Sequence, residues 1–255
     1  MDADDAVAGF VGKWFEREPE MRIAAVFCPA ATRPVFEVWG ALLHELRAAA
    51  FELSDARVTE GKCAWWAEEL AGWGEGRSRH PLGRVLARLE APWPALARAV
   101  LELSNAESAQ ADTPAAIAAL LGPAAAGHAV EAALFAPAVA DAPVAARAIA
   151  VHWLAMRLPA GLAAADRGRV PMHLVARHGA AACAEPGPAR VALLRDWAAE
   201  LLAAAGPEPA GPLFRRARAT FDRARLARLA RTGTPGEPAP LATPWRAWRA
   251  ARTAR

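Results

Sequence analysis

The sequence predicts an all-α protein. Apolar residues recur at the i, i+3, i+4, i+7 spacing of one helix face through most of its 255 residues. No run alternates β-branched residues with period two, and isoleucine occurs only three times. Signals that need a parallel sheet are missing as well. Gly72-x-Gly74-x-Gly76 has no strand before it and reads as a helix stop, and no Walker or Rossmann pattern is present.

The elements follow in order. Val35, Val38, Trp39, Leu42, Leu43, Leu46, Ala49 and Ala50 form one helix face, and Ser54-Asp55 supplies a stop or cap. From Thr59 to Trp73 a second helix sets Cys63, Trp66, Leu70 and Trp73 on its inner stripe and Glu60, Glu68 and Glu69 off it, with Thr59 as the expected N-cap. His80-Pro81 opens the next helix. Further helices are expected over 92–103, 113–121, 124–135, 141–158, 188–204 and 212–229. No period of 34 or 40 residues marks a helical solenoid. The stretch from Thr232 to Pro240 is a Pro/Gly linker leading to a short helix around 244–252. The expected organisation is one helical domain over 1–231, followed by a linker and basic tail over 232–255.

Composition limits the function classes. At 55% apolar and 22% charged residues, the chain can bury a large core. The net charge is +3, yet eleven arginines against Asp222 and Glu237 give residues 213–255 a local +9 and leave the body at −6. A nucleic-acid binder with a uniformly basic face is thereby excluded. Arginine outnumbers lysine 28 to 2, a coding skew that removes weight from any single arginine. The acidic start Met1-Asp2-Ala3-Asp4-Asp5 is no secretory signal, and no apolar run of membrane-spanning length stands out. Cys28, Cys63 and Cys183 are few, far apart and without a C-x-x-C pattern, so neither disulfides nor a zinc knuckle is expected. These features imply a cytoplasmic protein.

Nucleophile motifs are lacking: no serine sits in G-x-S-x-G. His173 and His178 have no ligand spacing that Cys183 completes. Carboxylates one helical turn apart occur at Glu16/Glu20, Glu52/Asp55 and Asp196/Glu200, but Pro19 breaks the first pair and the last reads as a solvated face. Ten tryptophans are present, and the adjacent Trp65 and Trp66 point about 100° apart on their helix. Trp65 either packs on a neighbouring helix or lines an apolar cleft.

The block Lys62, Trp65, Trp66, Glu69, Leu70, followed by Arg79-His80-Pro81-Leu82, resembles the squalene/phytoene synthase family. Arg33-Pro34 with Leu42, Glu45, Leu46 and Arg47 looks like that family's first long helix. Asp166-Arg167-Gly168-Arg169-Val170-Pro171 looks like its G-R-x-Y-L-P segment, and the likeness spans roughly residues 30 to 205. The resemblance implies an isoprenoid-synthase-like helical bundle around a central apolar cavity. Active members join two prenyl diphosphates head to head with Mg²⁺ held by two D-x-x-x-D motifs. Here the first motif is reduced to Glu45, Glu52 and Asp55, the candidate catalytic carboxylates. The stretch from Trp153 to Ala165, where the second belongs, carries no carboxylate. The residues placed to meet a ligand are Arg47, Lys62, Trp65, Arg157, Arg167 and Arg169.

Three readings follow. The first is a family-like protein without Mg-dependent prenyl transfer, needing no cofactor, that binds an isoprenoid or other lipid or serves as an assembly scaffold. The second is an active prenyl transferase, using Mg²⁺, in carotenoid, squalene or hopanoid biosynthesis. The third is a partner- or membrane-surface-binding protein whose basic C-terminus rests on anionic lipid at the inner face of the membrane. On that reading Arg215, Arg216, Arg218, Arg225 and Arg228 line the charged face of an amphipathic helix.

Overall fold

The computed structural model describes residues 3–53, 55–104, 109–135, 141–160, 170–236 and 238–252, and those residues form fourteen helices and no strand. In chain order they are α1 (Ala3–Arg17), α2 (Pro19–Ala25), α3 (Arg33–Phe51), α4 (Ala56–Gly74), α5 (Gly83–Leu86), α6 (Trp93–Ser104) and α7 (Thr113–Ala118). There follow α8 (Leu121–Phe135), α9 (Ala142–Ala160), α10 (Met172–His178), α11 (Ala181–Ala184), α12 (Pro188–Ala204), α13 (Leu213–Thr232) and α14 (Ala242–Arg252). Pro19 and Pro188 stand in the first turns of α2 and α12, where a missing N–H costs nothing. The α4 cap is Asp55 rather than Thr59: Asp55 Oδ1 accepts from the Arg57 and Val58 N–H groups, and Thr59 lies inside the helix.

α4 packs on α6, α8 on α9, and α12 on α13, while α3 lies against α1, α4 and α6. One continuous apolar core results, from Trp14 and Trp39 through Leu70, Trp93 and Trp153 to Trp197 and Phe214. At Gly40 in α3 the Trp14 ring lies directly on the backbone, so no side chain fits there. Thr113–Phe135 has the length and mean hydropathy (1.4) of a membrane span, contrary to the expectation that no run reaches that length. In the fold its helices pack against α6, α9 and α12. Its one carboxylate, Glu131, is buried and ion-paired to Arg215, as suits a core helix.

α13 departs furthest from expectation. Its residues Arg215, Arg218 and Asp222 are buried, so it is a central helix of the bundle and not a helix lying on the surface.

Candidate functional site

The exit of α3 carries the three candidate carboxylates, and the fold sends them to different partners. Glu45 is half-buried; burial raises its carboxyl pKa, against the pull of Lys13 and Lys62. Arg47, buried, donates from Nη1 to Glu52 Oε1 at 2.5 Å, and its Nη2 lies 3.3 Å from His44 Nδ1. Arg17 adds a second cation 3.8 Å from Glu52. Burial alone would raise Glu52, but Arg47 outweighs it and the pKa falls. Burial, with help from the Arg47 charge, takes His44 down to about 4. Asp55 is spent on the α4 N-terminus. Among the described residues no group of three or more His, Cys, Asp or Glu is arranged to hold a metal ion. Glu52 and Asp55 are thus engaged by a guanidinium and by helix N–H groups, whereas a Mg²⁺ ligand needs carboxylate oxygens free to enter an octahedral shell.

The tryptophan pair builds a corner with the loop after α4. Glu69 accepts from the Arg79 and His80 N–H groups, both at 2.8 Å, and from Trp73 Nε1 at 2.9 Å. Arg79 Nε adds a contact at 3.1 Å. Burial would raise this carboxyl, yet the donors, the His80 N–H foremost, hold it at about 2. Glu69 thus fixes the turn into Pro81. Trp66 is buried, whereas Trp65 is 38% exposed and meets Trp66 and His80 edge-on beneath the Arg79 guanidinium. Lys62 is exposed on α4.

On the other side of the bundle, α9 presents Trp153 and Arg157 to the end of α3, with the Arg157 guanidinium 3.6 Å from the Phe51 ring centroid. The pocket that Leu43, Leu46, Phe51, Leu96, Leu103 and Trp153 line is apolar but holds only about 10 Å³, room for about one water. Arg167 and Arg169 lie outside the described residues, as do positions 161–165 of the stretch where a second acidic motif is expected.

Sequence reading missed the polar centre of the molecule. Arg215, Arg218, Asp222 and Arg225 stand at i, i+3, i+7, i+10 on one face of α13. Arg215 bonds Glu131 through Nε at 3.0 Å and Nη2 at 2.7 Å, and Trp39 Nε1 donates to the same carboxylate at 3.1 Å. Arg218 forks onto Glu18, at 3.2 Å from Nε and 2.8 Å from Nη2, where Trp14 Nε1 adds 2.9 Å. Asp222 Oδ2 lies 2.9 Å from His152 Nδ1, and Arg225 joins Asp222 to Glu20. Burial would raise Glu18, but Arg218 leads the charges that hold it at about 2. Burial raises Asp222 to about 6 despite Arg225, and drives His152 well below its ordinary value. The one available signal was a set of charges spaced like core residues.

At the outer end of α13 this network opens onto two clefts. One, about 350 Å³, is lined by Arg17, Met156, Arg225, Arg228, Leu229 and the turn 234–236. The other, about 160 Å³, adds Arg231 and Arg246 across from Glu20. Their cationic walls suit an anion better than a metal.

The sequence matches no family model, and no curated protein matches it. The fold does have a known counterpart. The chain is similar to the crystal structure of squalene synthase HpnC from Alicyclobacillus acidocaldarius, with a TM-score of 0.51 at 15% identity, covering 99% of this chain and 98% of that one. The likeness shows the fold, a squalene synthase-type helical isoprenoid synthase bundle.

Proposed function

We propose that this chain is a squalene/phytoene synthase-like protein without Mg-dependent prenyl transfer, which uses the bundle to bind a lipid or to act as an assembly scaffold in the cytoplasm. The observation that carries the reading is the commitment of the α3 carboxylates. Glu52 is clamped by Arg47 and Arg17, Asp55 caps a helix, and Glu45 sits near Lys13 and Lys62. A leaving diphosphate needs electrophilic help, and these groups have none to pass on. The pocket between α3, α6 and α9 holds only about 10 Å³, too little for a prenyl chain or any other lipid, which favours the scaffold role over lipid binding at that place.

The test is direct. The purified chain is incubated with radiolabelled farnesyl or geranylgeranyl diphosphate and Mg²⁺, and released diphosphate and extracted products are counted. The expected result is no release above a protein-free control. Mg-dependent turnover would establish the active prenyl transferase instead. Substituting Glu45, Glu52 and Asp55 would then show whether they carry it.

A further inference from the structure

The short helix α14 is built on two opposed faces. Thr243, Ala247 and Ala250 are buried, and α14 packs on α13 and α2. A hydrogen bond from Arg216 Nε to the Ala250 carbonyl, at 2.8 Å, fixes it there. The opposite face carries Leu241, Trp245, Trp248 and Arg252 at i, i+4, i+7 and i+11. These are large apolar groups in the open: Leu241 is 91% exposed, Trp245 55% and Trp248 41%. The helix has Arg246, Arg249 and Arg252 and no acidic residue. Two of these cations stand over the exposed indoles, Arg249 at 5.2 Å from the Trp245 centroid and Arg252 at 4.8 Å from that of Trp248. Arg246 faces the cleft it shares with Arg225, Arg228 and Arg231. The counter-charge described at the helix is Glu208, 3.7 Å from Arg249 and itself exposed.

We infer that α14 is a docking face for an anionic bilayer. Indole rings settle at the boundary of headgroups and acyl chains, and Arg beside them reaches lipid phosphates while its stem stays on the apolar side. A stripe of leucine and two tryptophans in a collar of arginines, rigidly seated by a small-residue face, has the charge and the shape for that boundary. A nucleic acid is a poorer match: base stacking needs open indole faces, and here arginines stand over both. The inference does not rest on the loss of catalysis and holds for an active enzyme equally.

The full chain is sedimented with vesicles of phosphatidylcholine and phosphatidylglycerol in equal parts, and with vesicles of phosphatidylcholine alone. It is expected to pellet with the first, to pellet far less with the second, and to be released by salt. Trp245→Ala/Trp248→Ala should lower the partition coefficient on the order of tenfold or more. Arg249→Gln/Arg252→Gln should lower it roughly thirtyfold at low salt and flatten the salt dependence. Both variants should still unfold cooperatively in urea, which separates lost partitioning from lost folding, since these side chains are only partly covered. The inference is overturned if the wild-type chain stays in the supernatant, or if the tryptophan variant pellets like wild type. Full competition by soluble glycerol phosphate would also overturn it, by placing the affinity in a phosphate site. So would an oligonucleotide that binds through Trp245 and Trp248 while vesicles do not.

Discussion

Glu18 and Arg218 lie 200 residues apart in the chain and meet at 2.8 Å in its interior. Such a pair is costly to desolvate, and removing one partner is worse than removing both. Glu18→Ala should therefore lose about 3–5 kcal/mol in urea unfolding, because it strands the Arg218 guanidinium. Glu18→Ala/Arg218→Met should recover much of that loss; a double variant as unstable as the single would disprove the account. The same residues set the acid response. Glu18 is at about 2 in the fold against 4.5 ordinarily, so its contribution is complete above 4.5 and lost as pH falls toward 2. The shift corresponds to roughly 3 kcal/mol. His152 works higher up: held neutral in the fold, it contributes stability above 6.5 that drains as pH falls through that value. Asp222 has the opposite sign. Raised from 3.8 to about 6, it binds its proton earlier in the fold, so its contribution grows as pH drops through that window. Melting temperatures should thus fall gently below 6.5 and steeply below 4.5, and Asp222→Asn, which no longer binds that proton, should make the upper stage steeper.

Helices were legible wherever burial is apolar. The 188–204 helix has the expected bounds, and the 141–158, 92–103 and 35–50 segments differ by a residue or two at their ends. α1 and α2 were not assigned, although Val7, Phe10, Val11 and Trp14 carry the helical spacing. α13 was located but turned inside out, since hydrophobic patterning counts arginine as surface. Nothing local shows that its partners are Glu131 and Glu18, 84 and 200 residues upstream. Of the candidate site, the carboxylates Glu45, Glu52 and Asp55 were visible in sequence and Arg47 stands only five residues from Glu52, whereas the approach of Arg17 required the packing of α1 on α3. That packing gives an element-scale prediction. Glycine inside a helix costs about 1 kcal/mol relative to alanine, so Gly40→Ala would ordinarily stabilise α3. Here the new methyl would fall inside the Trp14 ring, whose indole N–H holds Glu18. Overpacking of this kind costs about 1–3 kcal/mol. The clash outweighs the propensity, and Gly40→Ala should lower the urea midpoint and alter the near-ultraviolet signal of Trp14.

At the scale of the whole molecule, α13 is the element on which the others close. Its arginines reach α8 through Glu131, the α1–α2 junction through Glu18 and α2 through Glu20, while Asp222 meets His152 on α9. A chain cut after residue 211 would keep Glu18 and Glu131 in apolar surroundings without their cations. Each stranded charge costs several kcal/mol, against a total stability of about 5–15 kcal/mol for a typical domain. That fragment should show no cooperative melting transition. A chain cut after residue 231 loses the Gly233 cap of α13, the turn 234–236 and the contacts of α14, whose buried face consists of the small residues Thr243, Ala247 and Ala250. At about 25 cal/mol per Å² of apolar surface, so small a face contributes a few kcal/mol. The longer fragment should melt in one transition some degrees below the full chain, with the helical circular-dichroism signal reduced by the missing helix alone. Cooperative melting of the 1–211 fragment would mean that α1 to α12 fold as a unit by themselves, and that the buried arginines of α13 are an addition to the core and not its keystone.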